Sequence, residues 1–330
     1  MNAPIDIEIP KGLPSHPWHP SVVYAEEGWN GHLWWMAETP YPPFDMEPYK
    51  DRWELPCIHY SDDGKHWKSA GAPIDDLTDA QIASHSYHSD PHLELKGGVM
   101  FCYYRLMEDH DAKTTIIRKQ STDGEHWSER EIIELKIEDW RLKKEVISPA
   151  IVWTGEKWRM YYVDDTFTNL ARGIQMAESE DGVHFENKGS VWTQQEVKPW
   201  HIDVQLIDGT YYLLVHDVDN RTLTLFDSED GVIWGNRKEL LKASKRITDY
   251  WSQQLYRACL VKANNQMQVF FSATDGMASY IGLMVQNEQG GLDIIDCLSG
   301  NEKAAFVICF WWHRCIQFVN RVVHFIEKRI

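Results

Sequence analysis

Two copies of an aromatic-His-x-Asp pattern carry the side chains in this sequence that are best suited to chemistry. They are Tyr87-His88-Ser89-Asp90 and Trp200-His201-Ile202-Asp203, each with an imidazole two residues before a carboxylate. Imidazole and carboxylate groups together can bind a divalent metal ion. Paired carboxylates can instead hydrolyse a glycosidic bond, and a neutral histidine can simply hydrogen-bond a sugar hydroxyl or the channel backbone. Which of these applies depends on the elements that bring the two patterns together.

A repeated turn sequence organises the chain around these residues. The pattern S-x-D-G-x-x-[W/F] recurs at intervals of 60, 58 and 49 residues, beginning at Ser61, Ser121, Ser179 and Ser228. Repeats of this length indicate one supersecondary unit per copy. Asp-Gly is a strong hairpin signal, because Gly accepts a positive φ and Asp can bond the turn backbone. We therefore interpret the four copies, with the histidines inside them, as structural turns.

Each repeat has the same order of predicted strands. An extended run is followed by a run rich in Trp and Tyr, by a third run that ends in the repeated turn, and by a fourth. In the second unit these runs are Pro91–Leu95, Val99–Met107, Thr115–Ser121 and Glu131–Leu135. A fifth unit keeps the first three runs, but its turn has decayed. Short strands with regular turn signals predict an all-β fold, a five-bladed β-propeller.

The last thirty residues differ from the repeats in composition. Ala304–Trp312 is an uninterrupted apolar run, and polar residues then recur at helical spacing. Residues 301–330 hold five Lys or Arg against two Glu. This basic amphipathic helix is typical of one that docks on the propeller, pairs two protomers through residues 304–328, or contacts a membrane surface there. We expect an N-terminal extension, the propeller and the C-terminal helix over residues 1–14, 15–298 and 299–330.

Composition narrows the class of partner and the compartment. The chain has 330 residues, of which 43% are apolar, so it can bury a large core. A net charge of −17 argues against a nucleic acid partner. Six cysteines show no C-x-x-C spacing, and the first fourteen residues contain no apolar signal-peptide segment. We expect a cytoplasmic or phage-associated protein, with peripheral membrane contact as the alternative.

The blades resemble those of the five-bladed glycoside hydrolase superfamily, which holds arabinanases, β-xylosidases, invertases and levansucrases (families 43, 32, 68 and relatives). The residues that carry the resemblance are the repeated turns and the strand opening Asp90-Pro91-His92-Leu93. The segments His19–Tyr24 and Trp35–Pro42 are similar to a less characterised branch found in phage and polysaccharide-related bacterial proteins. The resemblance covers residues 15–290 and implies the propeller fold and a carbohydrate substrate.

In a propeller of this kind, the first strand of each blade lines the central channel and begins at the mouth where substrate enters. The strand starts here are His19, Asp90, Ser148, Asp203 and Arg257. The second strands end at the same face, where they place Asp164 and Asp217. Converging ionisable groups in a concave site are what glycoside hydrolysis requires.

The resemblance implies catalytic roles only in part. In those families the first blade supplies an Asp as base or nucleophile, the second an Asp that orients and tunes, and the third a Glu as acid. This sequence matches the second position at Asp90, whereas the first has His19. At the third, Ile147-Ser148-Pro149 stands where Glu-x-Pro is expected, and Glu145 lies two residues too early. We expect Asp90 and Asp203 to be the principal catalytic pair, with Glu145 and Asp164 behind them.

The remaining expectations concern binding. Substrate is expected to contact polar side chains and flat aromatic platforms at the mouth, namely His19, His88, His201, Asp217, Arg257, Trp18, Tyr41 and Trp200. No cofactor is required by this scheme. If a structural or catalytic divalent cation is bound, its expected ligands are His88, His201 and Asp203.

The sequence thus favours a glycosidase that acts on a bacterial polysaccharide or oligosaccharide through carboxylate catalysis in the funnel. Two alternatives remain open. One is a propeller that binds a glycan without catalysis, which the departures at His19 and Ile147 favour. The other is a metal-dependent enzyme that uses the central His/Asp cluster.

Overall fold

Five β-sheets arranged around a central channel make up the body of the protein. The computed structural model describes residues 2–42, 53–108, 113–137, 146–164, 173–194 and 196–327, and in the last helix it describes side chains as far as Cys315, with His313 excepted. The innermost strands of the five sheets contact one another in a closed ring. The predicted five-bladed β-propeller is therefore confirmed.

The first blade includes residues from the N-terminal segment. Its strands are β1 (Asp6–Ile7), β2 (Ser21–Trp29), β3 (His32–Glu38), β4 (Cys57–Ser61) and β5 (His66–Ser69). β1 pairs in parallel with β5, as the outermost strand of the blade. The backbone N–H of Ile5 also donates to the carbonyl of Ile281 in the fifth blade, at 3.0 Å. The segment that we expected to be an extension thus forms part of the propeller.

A short helix, α1 (Asp79–Ala83), precedes the second blade. The strands of that blade are β6 (Tyr87–Lys96), β7 (Val99–Glu108), β8 (Lys113–Ser121) and β9 (Glu131–Ile132). The third blade contains β10 (Glu134–Lys136), β11 (Val146–Trp153), β12 (Trp158–Asp164), β13 (Gly173–Ser179) and β14 (His184–Ser190). β10 pairs in parallel with β14, so this blade also has a fifth, outermost strand.

The last two blades have four antiparallel strands each. The fourth contains β15 (Pro199–Ile207), β16 (Thr210–Asp217), β17 (Thr222–Ser228) and β18 (Gly235–Lys242). The fifth contains β19 (Gln254–Ala263), β20 (Gln266–Thr274), β21 (Ser279–Gln286) and β22 (Leu292–Ile294). In every blade the first full-length strand (β2, β6, β11, β15 or β19) is the innermost.

Side chains on the innermost strands bond the backbone of the next blade at all five junctions. The acceptor and donor pairs are Ser21 Oγ and Leu93 N (2.9 Å), Asp90 Oδ2 and Ser148 N (3.1 Å), Ser148 Oγ and Ile202 N (3.0 Å), Asp203 Oδ2 and Leu260 N (2.9 Å), and Cys259 Sγ and Val22 N (3.2 Å). Buried backbone N–H groups need such partners. Two of the five acceptors are therefore the carboxylates that we expected to form the catalytic pair.

The four repeated turns are structural, as predicted. In the first, Ser61 Oγ accepts the N–H of Gly64 at 2.9 Å, and Asp63 Oδ1 accepts that of His66 at 2.9 Å. The imidazole Nδ1 of His66 lies 2.7 Å from Asp63 Oδ2, and the indole N–H of Trp67 donates to the Gly64 carbonyl. The Ser–Gly and Asp–backbone bonds recur in the other three copies. These histidines and aspartates are thus occupied by the turns.

The C-terminal helix α2 (Gly300–Glu327) packs against the fifth blade. Phe306 and Phe310 lie in the apolar cluster of that blade, and Phe310 is 1% exposed. On the other side of the helix, Ile308 and Trp312 are 70% and 65% exposed. The predicted amphipathic helix and its docking on the propeller are confirmed. Contact of residues 304–328 with a second copy or a membrane surface stays a prediction. Within the described residues, no helix combines the length and the hydrophobicity needed to span a membrane.

Candidate functional site

Left-handed backbone at three strand starts positions side chains at the channel mouth. His19, Asp90 and Ser148 have φ values of 53°, 52° and 52°, and each precedes a proline. Such values are uncommon for residues other than glycine and persist where the surrounding structure imposes them. In β6 and β11 the residue lies within a β-bulge, which changes the direction of side chains. The sequence His/Asp/Ser-Pro therefore marks the mouth of the channel in three blades.

His19, Asp90 and His201 form a compact buried group drawn from three blades. Asp90 Oδ1 lies 3.1 Å from His201 Nδ1 and 3.7 Å from His19 Nε2. One ligand atom from each residue lies within 4.8 Å of the others, and none of the three residues is more than 3% exposed. Among the described residues, these three atoms have no hydrogen-bond partner of acceptable geometry. Buried polar atoms without partners are rare in proteins, so the group is the first candidate for a ligand site.

The carboxylate of Asp90 is held by its other oxygen. Arg105 Nε lies 2.7 Å from Oδ2, and the backbone N–H of Ser148 donates to the same oxygen at 3.1 Å. Arg105 Nη2 is in turn bonded to Ser89 Oγ at 2.9 Å. These contacts fix the carboxylate with Oδ1 directed at the two histidines.

His19 is oriented by contacts to its Nδ1 atom. Thr39 Oγ1 lies 2.8 Å from this nitrogen, and Glu54 Oε1 lies 3.4 Å from it. The nearby carboxylate favours a proton on Nδ1, which leaves the lone pair on Nε2, facing Asp90. An imidazole that is hydrogen-bonded at one nitrogen and free at the other is the usual arrangement of a metal ligand.

Burial and neighbouring charges set the protonation states of the group. Burial opposes the charge on Asp90, but Arg105 and then His201 hold the pKa of its carboxyl well below the usual range. Burial places the pKa of His19 well below its usual value. Burial also lowers the pKa of His201, against the attraction of Asp90. Near neutral pH the group therefore consists of one carboxylate and two neutral imidazoles, which is a suitable donor set for a divalent cation.

Aromatic rings lie beside the group. The ring of Tyr256 lies 4.2 Å from that of His201 and stacks on Trp18 at 4.9 Å, measured between centroids. The Tyr256 hydroxyl accepts the indole N–H of Trp200 at 3.0 Å, and Trp18 lies 6.0 Å from Tyr41. The structure thus brings the three expected platforms, Trp18, Tyr41 and Trp200, to one place. Their contact with substrate stays a prediction.

Asp203 is bound to the protein at both oxygens. Oδ2 accepts the N–H of Leu260 at 2.9 Å, and Gln205 Nε2 donates to Oδ1 at 3.2 Å. His92 Nδ1 lies 3.7 Å from Oδ1. Burial raises the pKa of Asp203 to about 6. This carboxyl therefore has a structural role between the fourth and fifth blades, whatever part it has in catalysis.

Arg257 lies between the two inner carboxyls. It is 1% exposed, its Nη1 lies 4.0 Å from Asp90 Oδ1, and its Nη2 donates to the carbonyl of Pro149 at 3.4 Å. Burial lowers its pKa, against the attractions of Asp90 and Asp203. The residue that we expected to bind substrate is therefore a buried counter-charge for these two aspartates.

His88 lies in a separate buried cluster. Its Nε2 is 3.6 Å from Asp75 Oδ2 and 3.5 Å from Arg130 Nη2. Tyr104 donates its hydroxyl hydrogen to Asp75 at 2.5 Å, and Arg130 Nε lies 2.7 Å from the same carboxylate. Burial lowers the pKa of His88 to about 4, so its ring is neutral near pH 7.

Of the three expected cation ligands, His88, His201 and Asp203, the structure brings His201 alone into the convergent group. In the described part of the chain, the residues that converge are His19, Asp90 and His201. The expectation grouped His88 with His201 because both occur in the aromatic-His-x-Asp pattern. Regular alternation along β6 would place His88 and Asp90 on one face. The bulge in β6 breaks that alternation.

The other expected acids that the structure describes, Asp164 and Asp217, do not join the group. Asp217 Oδ1 accepts the backbone N–H groups of Asp219 and Asn220, at 3.1 and 3.2 Å, so its carboxylate caps its own turn rather than facing the channel. Asp164 is buried at the end of β12 and is not a member of the convergent group. Glu145 lies outside the described residues.

Four residues that support the group escaped the sequence argument, namely Thr39, Glu54, Arg105 and Tyr256. Arg105 lies opposite Ser89 in the β6–β7 pair. Counting back from the Gly97-Gly98 turn in regular register would have placed Arg105 opposite Asp90, one residue from its actual partner. Tyr256 directly precedes Arg257, a strand start that was identified. No local sequence pattern distinguishes Thr39 or Glu54 as a residue of the site.

Comparison with known proteins identifies similarity to curated sequences and to solved structures. No protein-family model matches the chain. An A type blood N-acetyl-α-D-galactosamine deacetylase from Flavonifractor plautii is 24% identical over 333 residues, a match that covers 84% of this chain. The chain spans only 42% of the length of that relative.

The structural matches agree on the fold. A crystal structure of an N-acetylgalactosamine deacetylase from F. plautii, in complex with blood group B trisaccharide, has a TM-score of 0.69 and 20% identity, over 86% of this chain and 94% of that one. A family 117 glycoside hydrolase from Zobellia galactanivorans has a TM-score of 0.61 and 13% identity, over 86% and 88%. A xylan β-1,4-xylosidase from Bacillus halodurans has a TM-score of 0.60 and 18% identity, over 87% and 56%. The chain thus has the five-bladed propeller fold of glycoside hydrolases.

Proposed function

We propose that the protein is a hydrolase that acts on a glycan and that its reaction centre is a divalent cation held by His19, Asp90 and His201. One observation carries the proposal: a carboxylate oxygen and two imidazole nitrogens converge in a buried space and have no other hydrogen-bond partner among the described residues. The supporting contacts of Thr39 and Arg105 are those that hold metal ligands in place.

The protonation states of these three side chains favour the binding of a divalent cation. The two imidazoles are neutral because of burial, and the carboxylate is ionised, so no proton needs to leave before a cation binds. Bound there, a divalent cation supplies Lewis acidity, which favours the attack of water on a carbonyl carbon.

We propose an N-acetyl group on a sugar as the target of hydrolysis. The relative that matches in both sequence and structure is named as an N-acetylgalactosamine deacetylase. Deacetylation forms a bond from a water oxygen to the carbonyl carbon and breaks the carbon–nitrogen bond. The products are acetate and an amino sugar, and the glycosidic bonds remain intact.

The residues of this chain have three tasks in that scheme. His19, Asp90 and His201 bind the cation. Arg105 holds the second oxygen of Asp90, so the carboxylate cannot rotate away. The rings of Tyr256 and its neighbours pack against the apolar face of the sugar and exclude water from the acetamide.

The first experiment measures cation binding. The chelator-treated protein is titrated with Mn²⁺ or Zn²⁺ by calorimetry, alongside the variant His201→Ala and the control His126→Ala, which changes a histidine in a structural turn. We expect binding near one ion per chain in the wild type and the control and a loss of at least about tenfold in affinity for the His201 variant. Equal binding by all three proteins would refute the proposed site.

The second experiment identifies the bond that is broken. An N-acetylated oligosaccharide is incubated with the protein, and released acetate and new reducing ends are measured separately. We expect the wild type to release acetate without forming new reducing ends. Acetate release should be lost in Asp90→Asn and retained in Asp203→Asn. Reducing ends in place of acetate would refute deacetylation, and binding without either product would indicate a propeller that binds glycans only.

Hydrolysis of a glycosidic bond is the second candidate, and one observation favours it. Asp90 has a depressed pKa and Asp203 has one raised to about 6, and a pair of carboxyls with separated pKa values can act as base and acid. In this case Asp203→Asn would abolish the formation of reducing ends, and removal of the cation would leave it unchanged.

A further inference from the structure

A groove of about 800 Å³ lies between the fourth and fifth blades. It opens at the face of the channel mouth, because its walls include Arg221, between β16 and β17, and Gln254, the first residue of β19. Gln254 is opposite Thr274, at the end of β20. Tyr256 of the candidate site follows two residues later, so roughly 7 Å of strand separates the groove from the site.

The lining of this groove is basic in an acidic protein. Four basic side chains and one acidic side chain line it, namely Arg221, Lys242, Lys245, Arg314 and Asp275. The chain as a whole has a net charge of −17. Lys242 and Lys245 form no ion pair or hydrogen bond through their side chains with any residue that the structure describes. Uncompensated positive charge of this kind attracts anions.

Two arginines are among the residues that line the groove. Arg314 reaches the groove from α2, and its side chain is 16% exposed. Its Nη2 lies 3.6 Å from Asp275 Oδ2 and donates to Ser252 Oγ at 3.3 Å, whereas its Nε has no hydrogen-bond partner among the described residues. Arg221 has a φ of 56° and donates to the carbonyls of Ser252 and Gln253. A strained backbone at a non-glycine residue is retained where the fold needs that side chain in place.

We infer that this groove binds an oxyanion, a carboxylate, sulfate or phosphate group, that is carried by the glycan whose neighbouring sugar enters the channel. The inference rests on the proposed action on a glycan, which it makes more specific by naming an acidic substrate. The short distance along β19 lets one chain of sugars reach both sites. Lys242 and Lys245 attract the anion, and the guanidinium of Arg314 donates to it from the buried side.

The experiment compares binding of a matched pair of glycans, so it does not depend on turnover. The probes are an N-acetylated trisaccharide that ends in a hexuronic acid and the same trisaccharide with the neutral hexose. The test variant is Lys242→Gln/Lys245→Gln. The control is Lys68→Gln/Lys238→Gln, which removes the same charge from exposed positions on β5 and β18. Dissociation constants are measured by calorimetry at low and high salt.

We expect the wild type and the control to bind the acidic trisaccharide about five- to tenfold more tightly than the neutral one. The test variant is expected to lose that preference while it keeps its affinity for the neutral probe. Because exposed charges are screened, high salt should reduce the preference in the wild type. Equal affinity for the two probes in the wild type would overturn the inference.

Two further outcomes separate this inference from the proposed function. If inorganic sulfate binds the groove but the two trisaccharides bind equally, the anion is not a part of the glycan, and the inference fails. If the preference is observed but no acetate is released from either probe, binding of the anion in the groove is supported and the proposed deacetylation is refuted.

Discussion

The pH dependence of stability gives a direct test of the burial of Asp203. The carboxyl is 1% exposed and accepts the backbone N–H of Leu260. Burial raises its pKa to about 6, whereas an aspartate in an unfolded chain has a pKa of about 3.9. The variant Asp203→Asn keeps an oxygen that can accept the same N–H but cannot ionise. We therefore expect the benefit of this substitution to increase with pH.

The sign and size of the effect follow from linkage. The folded protein keeps the proton on Asp203 at pH values where the unfolded chain has lost it. The contribution of Asp203 to the stability of the wild type is therefore fully present below pH 3.9. That contribution is lost as the pH rises through about 6. The pKa difference of about two units corresponds to about 3 kcal/mol in total. Between pH 5 and pH 8 the change is about 1.4 kcal/mol.

Urea unfolding measures this difference. The free energy of unfolding is determined by tryptophan fluorescence at several pH values between about 5 and 8, with EDTA present so that no cation contributes. We expect the value for Asp203→Asn minus that for the wild type to increase by about 1.4 kcal/mol over this range. The control is Gln289→Ala, which removes an exposed side chain that carries no ionisable group, and its difference should stay constant.

A difference that stays constant for Asp203→Asn, or that decreases with pH, would refute this reasoning. It would mean that the attraction of Arg257, which opposes the effect of burial, keeps the carboxylate ionised in the folded state. In that case the backbone N–H of Leu260 would donate to an ionised carboxylate.

Two further predictions concern a turn and the candidate site. Gly124 has a φ of 82°, and a Cβ there would lie 2.2 Å from the indole of Trp35, whereas Gly155 has a φ of 96° with no atom within 4 Å of its Cβ position. Gly124→Ala should therefore lower the free energy of unfolding by about 2–4 kcal/mol and Gly155→Ala by about 1 kcal/mol, as measured by thermal or urea unfolding. Equal losses for the two variants would contradict the predicted contact with Trp35. Thr39→Val removes a hydrogen-bond partner of His19 Nδ1 and should weaken Mn²⁺ binding about 10- to 100-fold in calorimetry. Unchanged affinity would show that Thr39 does not orient the ligand.

Local patterns in the sequence were sufficient to predict the architecture. The Ser and Asp of each repeated turn bond backbone groups within three residues. The residues of the motif are therefore sufficient to form the turn. Strand starts such as Asp90-Pro91 were likewise predicted, because extended runs and turn signals follow one another in a regular order. These signals depend only on neighbours in the chain, which the sequence gives directly.

The membership of the candidate site was predicted only in part. Asp90, His19 and His201 were each chosen from the sequence, but in different roles, and His88 was grouped with His201 because both occur in the same pattern. The bulge in β6 decided against that grouping, since one extra residue reverses which side chains share a face. Asp203 was chosen as one of the principal catalytic pair, and the structure adds its bond to Leu260 in the next blade.

The sequence by itself therefore determined the number of blades, the order of their strands, the turns that close them and the strand starts that line the channel. Tertiary structure alone decided that three of these residues converge within 4.8 Å, that Arg105 and Thr39 hold two of them, and that basic residues from two blades and α2 line one groove. The physical reason is that turns and strands follow from interactions over a few residues. The pKa values and the convergence depend on burial and on contacts between blades that are far apart in the chain.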